Sequence, residues 1–343
     1  MIFRRSTFTS TIADLETGVR ARDTEAADRA FDQLQKSFAK AGPDEIAAGA
    51  PRLAALLPEV PLGPRSMLAV IIGACVERGA DPAGCAPAVL REVGAVLTEV
   101  RAFVDQWAST GGGELPVVDQ QGPSDEVVAR VGASAALAWW TLQQWEMAAL
   151  AMLNDQNVRT ALSDRDELLT AALSLYEATQ GDLKCLTYAL LVLDDEPLVA
   201  LHRETRTGYL LRMSGLGDNF QLHTLLAGEL VSGGHVPGDA PSAQAVAACR
   251  DAPGFIQTTG AFNLVTADGT WIWNEGTPSD ITPVRGTRLV VLDKPPYSRG
   301  WDAGRFFPGM RGSLTLERVL SPEETESWFA DVSPAKDFHG TTA

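Results

Sequence analysis

The sequence predicts an α+β protein: an N-terminal all-helical bundle or array, then a smaller α+β domain with a mainly antiparallel sheet. Three observations point there. Apolar residues recur at helical spacing, punctuated by caps and glycines, as far as about Gly181. From about Leu186 onward, short aliphatic and aromatic runs alternate with turn residues. The length of 343 residues leaves room for about two domains. The expected division is 1–181 (all-α) and 182–343 (α+β).

In the first half, Asp23-Thr24 caps a helix with the stripe Ala27, Phe31, Leu34 and Phe38, and Gly42 suits the position just past its end. Arg65 to Arg78 is a short buried helix stopped by Gly79. From about Ala86 to Ala108, Val89, Val93, Val96, Val100, Phe103 and Trp107 form a seam that packs against another helix. Gly111-Gly112-Gly113 and the polar stretch to Gly122 form a flexible connection. Ser124 opens a long helix through Trp139, Trp140 and Trp145 to about Asn154, whose tryptophans are core residues. Ser163 and Asp166 make a capping box for a helix ending near Gln180-Gly181. No self-similar unit recurs at periods of roughly 34 to 47 residues, which disfavours a solenoid.

In the second half, Leu198–Leu201 and Tyr209–Met213 are strands of a hairpin (198–213), with Gly208 supplying the positive φ of its loop. Ser214-Gly-Leu-Gly-Asp-Asn219 leads into a helix over Phe220 to Val231. It superficially resembles a dinucleotide-binding turn, but Phe220 stands where the third glycine is needed. Asp218 is better read as the N-cap of that helix. A second hairpin (262–274) turns on Asp268-Gly269; as a two-residue loop it sets Thr266 opposite Trp271 and Leu264 opposite Trp273. Leu264, Trp271 and Trp273 then cover the core. Thr287–Leu292 and Ser313–Val319 are further strands, Ser321-Pro322-Glu323-Glu324 opens a C-terminal helix, and the tail after Asp331 should fray.

Composition narrows the function classes. The chain is acidic, with 28 Lys+Arg against 44 Asp+Glu and a net charge of −16, so its field repels nucleic acid and anionic membrane surfaces. The longest apolar run, Met67 to Val76, is about half a bilayer span. Met1 to Ser6 lack the apolar core of a secretory signal, and a cytoplasmic address is expected. Only five lysines among the basic residues, with abundant alanine, suggest a GC-rich bacterial genome. Cys75, Cys85, Cys185 and Cys249 form no C-x-x-C pair and are expected to be reduced and buried.

Three constellations could carry chemistry. Asp194, Asp195 and Glu196, with Asp218 and His223, have the donor types of a magnesium or manganese site, but not the spacing, and are read as a solvated turn. Residues 294–311 hold Lys294, Arg299, Arg305 and Arg311 interleaved with Tyr297, Trp301, Phe306 and Phe307, a basic and aromatic island in an acidic chain. Such a loop can bind a carboxylate or phosphate and stack on a planar group. Of the four histidines, His223 is the one placed to act as an acid or base. No nucleophile elbow, zinc-protease motif or phosphate-binding loop occurs, and no cofactor or metal is expected. The expectation is a binding or regulatory protein that recognises a small anionic ligand or a protein partner through Arg299, Trp301, Arg305, Arg311 and Tyr297. The alternative is an enzyme on a small anionic substrate, with those arginines as anion binders and His223 or Asp218 as acid or base.

Overall fold

In the computed structural model, which describes residues 7–179 and 183–336, the helical spacing of the first half folds into a series of packed helices. They are α1 (Phe8–Ala21), α2 (Thr24–Phe38), α3 (Pro43–Leu56), α4 (Leu62–Glu77), α5 (Ala86–Ser109), α6 (Asp125–Val131), α7 (Ala133–Leu153), α8 (Gln156–Ala161), α9 (Arg165–Ala178) and α10 (Lys184–Leu191). The chain divides into two compact units, Met1–Leu190 and Leu191–Ala343.

In the first unit α7 packs against both α4 and α5. The Phe103 ring of the α5 seam stacks on Trp139 with centroids 5.1 Å apart and meets Trp140 edge-on at 6.5 Å. All three tryptophans of α7 are buried. Four details depart from the sequence expectation. Gly42 is the N-cap of α3 rather than the end of α2, because Pro43 favours a helix start and has no N–H to contribute further in. The long helix expected from Ser124 breaks at Gly132 into α6 and α7. The cap of α9 is Asp164, without a side-chain cap bond, so the Ser163–Asp166 box does not form; Gln180-Gly181 lie outside the described residues. The glycine-rich connection is pinned: Arg130 donates to Trp107 O and Gly112 O and lies 3.5 Å over the Trp107 ring.

The second unit contains β1 (Glu196–His202), β2 (Thr207–Ser214), α11 (Asn219–Leu230), α12 (Ala243–Arg250), β3 (Ile256–Thr259), β4 (Asn263–Val265), β5 (Pro283–Val284), β6 (Thr287–Asp293), β7 (Gly300–Ala303), β8 (Ser313–Val319) and α13 (Pro322–Phe329). The main sheet runs β4-β6-β1-β2-β8, with β5 beside β6; β3 and β7 form a separate pair. Every pairing between named strands is antiparallel except β1 with β6, so the sheet is mixed but mainly antiparallel. The two-residue period of β1 explains the layering. Leu198 and Ala200 face a core completed by Leu222, Leu225, Leu226 and Leu230 of α11. Val199 and Leu201 face a second core with Leu320 and Phe329 of the α13 region. The sheet is therefore covered on both faces.

The loop of the first hairpin is 203–206, and Arg206, at φ 52°, takes its left-handed position. Gly208 lies within β2 for a different reason. A Cβ there would sit 2.8 Å from Leu320 Cδ1 and 2.9 Å from Thr325 Oγ1, so its missing side chain lets the α13 region close on the sheet. The second hairpin differs by one residue. Val265 pairs with Trp271, Thr266 N–H donates to Thr270 O, and Gly269 is left-handed at φ 87°. The loop therefore has three residues, with glycine in the bulge position, not two. A one-residue register change turns each side chain of the second strand to the opposite face. Ile272 faces the core, while Trp271 is half-buried and Trp273 is 56% exposed, reversing the expected placement of the tryptophans.

The tail does not fray at Asp331. Ser333 N–H donates to Ala267 O, Lys336 N–H to Gly269 O, and the Trp271 indole to Lys336 O. Substituting Gly208→Ala should destabilise the second unit by about 1–3 kcal/mol through overpacking against Leu320 and Thr325. Urea denaturation of the full chain checks this, with a lowered midpoint at unchanged slope as the expected result.

Candidate functional site

Helix α11 is the element around which the candidate residues gather. It is buried nearly throughout, yet carries Asn219, Gln221, His223 and Thr224 among its leucines, and buried polar groups must find partners. Asp218 caps it as expected, Oδ1 accepting from Gln221 N–H at 2.8 Å. The Gln221 side chain accepts from Gly217 N–H and donates to Cys249 O, tying the helix start to α12. The glycine turn before α11 is filled by the chain's own backbone. A Cβ on Gly215 would lie 2.1 Å from Arg311 O, and one on Gly217 would lie 2.8 Å from Phe306 Cβ. A pyrophosphate would need that same space.

His223 is fully buried. Its ring stacks near-parallel on Phe262 and lies 4.8 Å from Trp301. Phe262 N–H donates to Nε2 at 3.2 Å, so the neutral ring carries its proton on Nδ1, which faces the Asn274 side chain without closing a hydrogen bond. Burial, reinforced by the Arg299 charge, pushes the imidazole down to about 3 despite the opposing pull of Asn274. The acceptor nitrogen is already engaged and the ring has no solvent contact. A group in this state positions Phe262 and Trp301; it offers no open lone pair to a substrate.

The middle of the 294–311 segment is strand β7 rather than loop, with Trp301 opposite Thr258 of β3. The Trp301 indole donates to Thr224 Oγ1 at 3.2 Å and packs on Phe220, so it is half-buried against α11. The three arginines separate into two groups. Arg299 donates to Phe262 O and Asn263 Oδ1, beside His223. Arg305 donates to Ala252 O at 3.3 Å and Met310 O at 3.4 Å. Arg311 is 81% exposed and lies 3.7 Å from Asp251. Arg305 and Arg311 therefore flank the 251–252 turn that ends α12, where the helix dipole favours cations. Tyr297 is exposed, with the Arg299 guanidinium 5.7 Å from its ring centroid.

The acidic turn is taken up by arginines: Glu196 pairs with Arg288 at 3.0 Å and Asp195 with Arg212 at 3.4 Å. Among the described residues no group of three or more His, Cys, Asp or Glu side chains is arranged to hold a metal ion. The cysteines are free thiols, and burial raises Cys75 to about 12 and Cys85 and Cys249 to about 11, which suppresses thiolate chemistry. Among the described residues no helix is long and apolar enough to cross a membrane.

The sequence expectation passed over Asn219, which is 1% exposed and whose Oδ1 has no hydrogen-bond partner. Its signal was present in the i, i+4 spacing of Asn219 and His223, which puts two polar side chains on one face of an otherwise leucine-rich helix. Compared with known proteins, the chain matches no family model, no curated protein and no solved structure.

The depressed His223 imidazole has a consequence for stability. The unfolded chain gains a proton at this residue below about pH 6.5, whereas the folded chain takes it only near about 3. Stability is fully present above the unfolded value and is lost as pH falls through this window, at up to about 1.4 kcal/mol per pH unit from this group. Urea titrations between about pH 6.5 and 4 should give a shallower decline for His223→Asn than for the parent chain.

Proposed function

We propose that the protein is a cytoplasmic bacterial binding protein that recognises an acidic segment of a protein partner through the edge formed by Arg305 and Arg311. The observation that carries this reading is the state of those two side chains. Arg311 is 81% exposed with one loose ion pair, and Arg305 beside it is bonded to carbonyl oxygens at 3.3 and 3.4 Å. Guanidinium groups held in this way retain donors for carboxylates. The edge is open, which suits an extended acidic segment better than an enclosed small anion. Free thiols in all four cysteines suit a reducing compartment. The enzyme reading draws less support, because the His223 acceptor nitrogen is occupied and Asp218 caps α11.

Fluorescence anisotropy with a labelled glutamate-rich peptide tests the proposal. Binding should weaken with added salt. The double charge reversal Arg305→Glu/Arg311→Glu should lower affinity by about tenfold or more, the scale of a lost charge-assisted pair. Equal affinity for the double variant, or no binding by the parent chain, overturns it.

A further inference from the structure

The register of the second hairpin, with the elements that follow it, creates a cleft of about 830 Å³ in the second unit. The volume is within the usual range for small-molecule sites. Its walls come from the 266–273 hairpin, the 276–284 segment, and Asp331 and Ser333 beyond α13; Asn219 at the start of α11 also lines it. We propose that this cleft binds a neutral carbohydrate, stacked on Trp273 and hydrogen-bonded through Asn219. This site shares no residue with the Arg305–Arg311 edge and does not depend on it.

Three features define the ligand chemistry. The first is the Trp273 indole, 56% exposed on the cleft wall. Its flat apolar face beside polar groups matches the C–H face of a sugar ring. The second is Asn219. Its Nδ2 donates to Trp273 O at 2.9 Å, which fixes the amide orientation and leaves a buried Oδ1 without a partner. A buried unpaired acceptor is costly, and a ligand hydroxyl donating to it relieves that cost. The third is the balance of charge. Asp268 is paired with Lys336 at 2.9 Å, Asp331 with Arg285 at 2.6 Å, and Asp280 accepts from Thr277 N–H at 2.7 Å. Two of the three carboxylate charges are thus already neutralised. The cleft remains rich in acceptors but only weakly cation-attracting, and the exposed hydroxyls of Thr282 and Ser333 can both donate and accept. Sugar hydroxyls have the same dual character, whereas an organic cation would favour carboxylates left unpaired.

The test is saturation-transfer NMR and calorimetric titration of the full chain with four neutral disaccharides, maltose, cellobiose, lactose and N,N′-diacetylchitobiose, with choline as the cationic comparison. Saturable binding of at least one disaccharide is expected. Trp273→Ala should weaken it by about tenfold or more, and Thr282→Val should weaken it measurably. Both substituted side chains are exposed, so the fold is retained; Asn219→Ala, with circular dichroism and melting as folding checks, should also reduce binding. No saturable binding by any of the four sugars, binding unchanged in Trp273→Ala, or binding of choline alone would each overturn the proposal.

Discussion

The second unit depends on one constraint: β1 is buried on both faces. Leu198 and Ala200 need one apolar cover and Val199 and Leu201 another, so helices must lie on each side of the sheet. β2 and β6 flank β1, one antiparallel and the other parallel. β2 returns the chain to the end of the sheet where both β1 and β6 start, and the connection from there to β6 runs from α11 through the second hairpin. The candidate chemistry is carried within this connection or directly after it. The burial demanded by β1 therefore determines where α11 lies and which of its side chains are sealed from water.

That arrangement explains the division of labour among polar residues. A helix pressed over the sheet core leaves little room for solvent around its inward polar groups. His223 is consequently neutral, stacked and committed to Phe262, and Gln221 is held between Gly217 and Cys249. Asn219, at the start of the same helix, lines the cleft while remaining buried, with its Oδ1 unpaired. Arg305 and Arg311 follow β7 and meet the end of α12. The polar residues of one unit thus serve as core spacers, a cleft lining and a charged edge.

The fold class was legible because periodicity reports burial directly: the α5 seam, the Asp218 cap and the capping box of Ser321 on α13 all form at or near the expected residues. Turn detail was less legible. Asp268-Gly269 suits either a two-residue loop or a three-residue loop with a glycine bulge, and the choice between them inverts Trp271, Ile272 and Trp273. In the three-residue form Thr270 N–H donates to Thr266 Oγ1 and Asp268 Oδ1, and the Thr270 hydroxyl donates to Asp268 Oδ2. The strand pairing of β4 with β6 and the bonds from Ser333 and Lys336 add to these, and they join residues far apart in sequence. The arginine island was visible as composition, but its separation into Arg299 on one side and Arg305 with Arg311 on the other depends on how β7 pairs with β3.

The bonds from Ser333 and Lys336 to the 266–271 turn also bear on biosynthesis. The turn leaves the ribosome more than sixty residues before Lys336, its partner in the Asp268 ion pair. The same delay applies to β8, which must pair with β2 about a hundred residues earlier in the chain. During vectorial synthesis the first unit can complete its helix packing while the second still waits for its closing segments. Until those segments arrive, the sheet edge at β2 and the tryptophans of the hairpin are without their final neighbours. The acidic, low-lysine chain would then carry its own protection, since like-charge repulsion between nascent chains opposes their association during that interval.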